Sequence, residues 1–97
     1  MKTYWLDPDA EEDLDDIWRY MAKNSKTAAS KFINEFRDTF DTIANNPDMG
    51  RRYSERDPGL QVFVSGKYYI FYRVVKEEAQ IKRVLHGARD LSRIVFE

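Results

Sequence analysis

Cysteine is absent from the 97 residues, and histidine occurs once. Without a thiol the chain can form no disulfide framework, no thiolate zinc site and no cysteine nucleophile. No stretch approaches the roughly 20 consecutive apolar residues that a membrane helix needs. The start Met1-Lys2-Thr3-Tyr4-Trp5-Leu6-Asp7 has no apolar signal-peptide core. A cytoplasmic location without membrane contact is therefore expected. There is also no excess of positive charge, since the net charge is −1. A protein that held a polyanion by phosphate neutralisation would be basic overall, so direct nucleic-acid binding is not expected.

What is present fits a single small domain spanning residues 1–97, 42% hydrophobic and 34% charged, too short for a second core. The charge is unevenly spread. Residues 1–48 carry six Lys/Arg against eleven Asp/Glu, a balance of −5, and residues 49–97 carry ten against six, a balance of +4. The two halves should present different surfaces, with any polyanion contact confined to the second.

Tyr4-Trp5-Leu6 reads as a short strand handing over to a helix at Asp7-Pro8, where Asp caps and Pro suits the first turn. Ala10, Leu14, Ile17, Trp18 and Met21 follow helical spacing to about Lys23, with the run Glu11, Glu12, Asp13, Asp15 and Asp16 placed on the outer face. After a turn and cap at Asn24 to Thr27, Ala29, Phe32, Ile33, Phe36, Phe40, Ile43 and Ala44 mark a second, longer helix. Trp18 and the stripe Phe32, Phe36, Phe40 are expected in the core. Asn45-Asn46-Pro47 stops that helix, and Pro47 to Gly59 reads as a polar loop in which Gly50 is assigned to a positive φ. The periodicity then becomes extended. Leu60 to Val64, Tyr68 to Val75 and Gln80 to His86 form three strands of an antiparallel meander. The middle strand is apolar on both sides except at Arg73, as expected of a central strand.

The predicted class is α+β in the order β-α-α-β-β-β, a helical hairpin on one face of a small, mainly antiparallel sheet. The second face is then expected to be left for a partner.

Four strings, in order, resemble one family: Asp7-Pro8-Asp9-Ala10-Glu11-Glu12-Asp13-Leu14, Asn46-Pro47-Asp48-Met49-Gly50-Arg51, Tyr69-Ile70-Phe71-Tyr72-Arg73, and Ile81-Lys82-Arg83-Val84-Leu85-His86-Gly87-Ala88-Arg89-Asp90. Together they resemble the ParE branch of the RelE/ParE toxin superfamily over nearly the whole chain. The resemblance implies a toxin of a type II toxin–antitoxin pair, held silent by a ParD-like antitoxin whose tail folds along it, with DNA gyrase as the target. It also implies a dependence of toxicity on the C-terminal region, so that deletion of Leu91 to Glu97 is expected to abolish action while sparing antitoxin binding. RelE-like relatives are instead ribosome-dependent mRNA interferases. A third possibility is a harmless scaffold that only binds its antitoxin.

Cleavage through a ribose 2′-hydroxyl needs a base, an acid and cations for the phosphorane. Where RelE-like enzymes carry such groups this chain has Gln61, Phe63, Tyr69 and Val95, with only Arg89 of the expected charge. No catalytic residue, metal or cofactor is therefore assigned. His86 is the strongest objection, as a C-terminal acid or base; its simpler reading is a strand-end imidazole that orders a turn by bonding backbone or Asp90. The partner- or target-binding candidates are Tyr69, Arg73, His86, Arg89, Arg93, Ile94 and Phe96. Against that, Arg73 has the plainer reading of pairing with Asp90, and Arg83 and Arg93 of being solvated charges.

Overall fold

A computed structural model describes residues 3–88 and Leu91. Strand β1 (Tyr4–Leu6) runs into helix α1 (Pro8–Ala22), followed by helix α2 (Lys26–Asn45) and a short 3-10 turn at Pro47–Met49. Strands β2 (Arg51–Ser54), β3 (Asp57–Ser65), β4 (Tyr68–Val75) and β5 (Glu78–His86) complete it. The α+β class and the helical hairpin on one sheet face are as the sequence predicts. The sheet has the order β1-β5-β4-β3-β2, antiparallel throughout except where β1 runs parallel to β5.

The helix starts follow from side chains placed to accept orphan amide protons. The Asp7 carboxylate accepts from the Asp9 N–H at 3.0 Å, and Pro8 occupies the first turn, where no N–H is needed. Asp7 also donates its own N–H to the Ile81 carbonyl at 2.9 Å, so one residue ends the parallel ladder and opens α1. Ser25 caps α2 through its hydroxyl, 3.1 Å from the Ala28 nitrogen.

Phe36, Phe40, Ile43 and Ala44 of α2, with Ala10 and Leu14 of α1, bury themselves against Ile70 and Tyr72 of β4 and Ala79, Ile81 and Val84 of β5. Two of the residues assigned to this core lie at its margin. Trp18 is half-buried, because its indole N–H reaches across the hairpin to the Ser30 hydroxyl at 3.2 Å; Phe32 is half-buried beside Tyr68, where α2 passes the β3–β4 turn.

Three further features depart from the sequence reading. Residues 51–54 form a strand rather than loop, and β3 begins at Asp57, so the sheet has five strands. Arg51, Arg52 and Tyr53 are exposed, so the strand carries no apolar alternation and exists through its backbone pairing to β3. Gly50 has φ −82, not a positive value. Its requirement is space: a Cβ there would stand 2.4 Å from the Tyr72 hydroxyl oxygen. Finally, the centre of the second sheet face is not bare. Leu60, Phe71 and Leu85 on that side are at most 2% exposed, with Tyr69 and Leu91 packed against them and the Tyr53 ring edge-on to Phe71 at 4.9 Å. What remains open there is the margin, at Trp5 on one edge strand, Tyr53 on the other, and Val64 and Val75 toward opposite strand ends.

Candidate functional site

Strand β4 places Tyr69 and Arg73 on the second face, since both alternate with Ile70 and Tyr72, which point at the helices. Tyr69 is half-buried at one end of that face, packed against the Leu60–Val62–Phe71–Leu85 cluster. Gly87 leaves room for it, because a Cβ at Gly87 would lie 3.0 Å from the Tyr69 ring.

Arg73 lies toward the other end, and its partner among the described residues is Asp57; Asp90, the partner expected from the sequence, lies outside them. Two parallel bonds of 2.7 and 2.5 Å join the guanidinium to both carboxylate oxygens. Hydrogen bonding from Arg73 holds the Asp57 carboxyl below its ordinary range, and the same bond keeps Arg73 more firmly protonated. Arg83 is not a solvated charge either. Its Nε and Nη2 donate to Asp13 at 2.8 and 2.9 Å, and the Val84 N–H donates to the same carboxylate at 2.9 Å. Asp13 is 8% exposed. The β4–β5 ladder shifts register between Phe71 and Tyr72, and the α1 carboxylate meets β5 at that irregularity, beyond the last residue that β1 pairs.

Lys82 pairs with Asp7 at 2.8 Å. Burial pushes the Asp7 carboxyl up, but the Lys82 hydrogen bond, the Asp9 N–H and the nearby positive charges together outweigh it, so the net shift is downward. Each cation described on β4 and β5 at positions 73, 82 and 83 is therefore occupied by a carboxylate of the same chain.

His86 lies on the opposite side of the sheet from Tyr69 and Arg73, paired across the strands with Tyr68 and in edge contact with its ring at 5.2 Å. Its Nδ1 accepts the Ala88 N–H at 3.1 Å, so the imidazole orders the turn through backbone, and in the neutral form its proton resides on Nε2. The hollow beside it is lined by Asp13, Asp16, Ile17, Tyr20, Tyr68, Val84 and Leu85, none of which offers a phosphate a cation. Gln61 and Phe63 are also committed: Gln61 Oε1 lies 3.2 Å from the Tyr72 hydroxyl and Phe63 packs on the helix-side core. Arg89, Arg93, Ile94 and Phe96, with the other residues of 92–97, lie outside the described residues. Among the described residues no group of His, Cys, Asp and Glu is arranged to hold a metal ion, and no helix is long and apolar enough to cross a membrane.

The sequence reading missed two networks. Asp13 belongs with the buried residues, and its spacing of three from Ala10 is the signal that separates it from its acidic neighbours. The Tyr72 hydroxyl, carried up by burial, donates to the Pro47 carbonyl at 2.7 Å and accepts from the Gly50 N–H at 2.9 Å, tying β4 to the chain after α2. A tyrosine in a central strand gives no such warning, because its partners lie more than twenty residues away.

The sequence and the fold are similar to those of known proteins. The family model for the ParE toxin of the type II toxin–antitoxin system parDE matches residues 4–91. Toxin ParE1 of Mycobacterium tuberculosis is 33% identical over 92 residues, covering 93% of this chain and 94% of the relative. Toxin RelE3 of Caulobacter vibrioides is 31% identical over 88 residues, covering 90% and 96%. A solved structure of the chromosomal ParDE system of P. aeruginosa superposes with a TM-score of 0.73 at 24% identity, covering 89% of this chain and 96% of that one, which speaks for the fold. With a family model spanning both helices and all five strands, the chain belongs to the ParE toxin family of type II toxin–antitoxin systems.

Proposed function

We propose that this toxin acts in the cytoplasm on DNA gyrase by binding, without covalent chemistry of its own, and that a ParD-like antitoxin silences it. On this reading the toxin stabilises the gyrase state in which DNA is cut, and breaks accumulate. The observation that carries the reading is the state of the sheet cations. Breaking a phosphodiester by a ribonuclease route calls for unpaired cations, a base and an acid converging on one phosphate. Here Arg73, Lys82 and Arg83 are each spent on a carboxylate, and Gln61, Phe63 and Tyr69 stand where RelE-like enzymes place reactive groups. The lining of the hollow beside His86, which includes no Lys or Arg, weighs in the same direction.

For the antitoxin, the open margin of the second face supplies apolar anchors at Tyr53, Val64 and Val75, with the Arg73–Asp57 pair on the same face. A segment that folds on binding gains from such anchors while its polar groups bond the rim. The buried centre narrows this contact to the margin.

Supercoiling and DNA-cleavage assays with purified gyrase test the proposal, run beside a ribosome-dependent mRNA cleavage assay. Loss of supercoiling near stoichiometric toxin, with intact mRNA, is expected. Cut mRNA with unaffected gyrase would establish the interferase reading that the RelE3 name of one relative suggests for that protein. Growth unaffected by expression of the toxin alone would favour a harmless scaffold.

A further inference from the structure

The sheet ends at β2, whose one neighbour in the ladder is β3. A strand in that position turns every second backbone N–H and C=O away from its neighbour, and these groups form a ready template for a further strand. Among the described residues nothing outside β3 bonds the backbone of Arg51–Ser54. The opposite end of the sheet offers less, since β1 is three residues long and carries no charged side chain.

A second, independent feature lies on the same edge. Arg51 and Arg52 are both exposed, and among the described residues neither has an ion-pair partner, in contrast to Arg73, Lys82 and Arg83. The carboxylate on the neighbouring strand, Asp57 opposite Ser54, is already held by Arg73. The two free guanidiniums also belong to opposite sides of the sheet. Arg51 stands across from Val62, a member of the second-face cluster, and Arg52 across from Gln61, whose side chain meets the Tyr72 hydroxyl on the helix side.

We infer that β2 is a docking edge for an extended acidic segment of a partner protein, which joins the sheet as a further strand and sets two consecutive Asp or Glu residues beside Arg51 and Arg52. The carboxylates are consecutive because successive side chains of a strand point to opposite sides, as the two arginines do. Backbone pairing supplies attraction and the charges supply selection. A second copy of β2 is barred by the same arginines, which would be brought against their own kind. A nucleic acid offers phosphates to the guanidiniums but no strand to the open N–H and C=O groups, and the net charge of −1 gives it no wider attraction. The inference rests neither on gyrase as target nor on the antitoxin contact, since it fixes the chemistry of the segment and not its owner.

The test uses the purified full-length chain and fluorescence anisotropy with four labelled probes: a short peptide rich in Val and Thr with Asp-Glu at its centre, the same peptide with Lys-Lys there, the acidic peptide N-methylated at consecutive residues so that it cannot join a ladder, and a single-stranded oligonucleotide. The acidic peptide is expected to bind, with an affinity that falls as salt is raised, and to slow amide hydrogen exchange at residues 51–54. N-methylation should weaken it about tenfold, through the loss of the ladder hydrogen bonds. The double change Arg51→Glu with Arg52→Glu should weaken it about tenfold or more and strengthen binding of the Lys-Lys peptide, a gain that an unfolded variant could not show. No binding of the acidic peptide, equal binding of the Lys-Lys or N-methylated peptide to the parent, unchanged exchange at residues 51–54, preferential capture of the oligonucleotide, or indifference to the charge reversal would each overturn the inference.

Discussion

The two faces of the sheet are closed by different means. The helix side buries eleven residues drawn from both helices, β4 and β5, with a run of edge-on aromatic contacts linking Phe32, Phe36 and Tyr68. Among the described residues the opposite side buries four, covered by half-buried or exposed side chains such as Tyr69, Leu91 and Tyr53. Among the described residues one face is sealed by whole elements and the other by individual side chains, so the fold should rest on the first and leave the second free to rearrange around a partner.

Substitutions can break that comparison. The largest effects should come from the helix side. Phe40→Ala, at a fully buried ring, should cost about 3–5 kcal/mol of unfolding free energy. Asp13→Ala should cost a similar amount, about 3–5 kcal/mol, because it leaves the Arg83 guanidinium and the Val84 N–H without their acceptor. Leu85→Ala on the other face should fall near the low end of buried leucine truncations, about 2 kcal/mol, as the neighbouring half-buried rings close in. Urea unfolding of the three variants checks the ranking, and a Leu85→Ala cost equal to that of Phe40→Ala would refute the unequal-faces view.

Smaller changes sharpen it. Tyr72→Phe removes the partner of the Pro47 carbonyl and the Gly50 N–H and should cost about 1–2 kcal/mol, measured in the same way. The smallest effect should appear only in acid. Asp7 titrates below its ordinary 3.8 when folded, so its contribution is complete above that value and is lost as pH falls through the lower, folded value. Asp57 has the same sign. Asp7→Asn should therefore be modestly less stable than the parent at neutral pH, with the gap closing on acidification; a gap that widens would reverse the assigned direction.

How much of this was readable from the residues depends on how each feature is held. The helices announce themselves through apolar spacing, and β4 through its unbroken run from Tyr68 to Val75. Strand β2 does not, because Arg51, Arg52 and Tyr53 are exposed, and what holds them is backbone pairing to β3 and the contact of the Tyr53 ring with Phe71. Closure of the second face was legible in part, since the strand carrying Phe71 is apolar on both sides, but which residues close it was not, because Leu60, Phe71, Leu85 and Leu91 meet only through the topology. The candidate site was legible as a list and not as an arrangement. Tyr69 and Arg73 share a face through strand alternation, whereas His86 sits across the sheet with Tyr68, and the carboxylates that occupy Arg73 and Arg83 come from distant Asp57 and Asp13.

The claim that this toxin binds rather than catalyses is tested most directly by His86→Ala, which removes the sole imidazole while keeping the strands that carry it. Purified variant and parent should generate equal amounts of gyrase-dependent DNA breakage and leave ribosome-bound mRNA whole. Parent toxin that cuts mRNA, with the cutting lost in a folded His86→Ala variant, would contradict it.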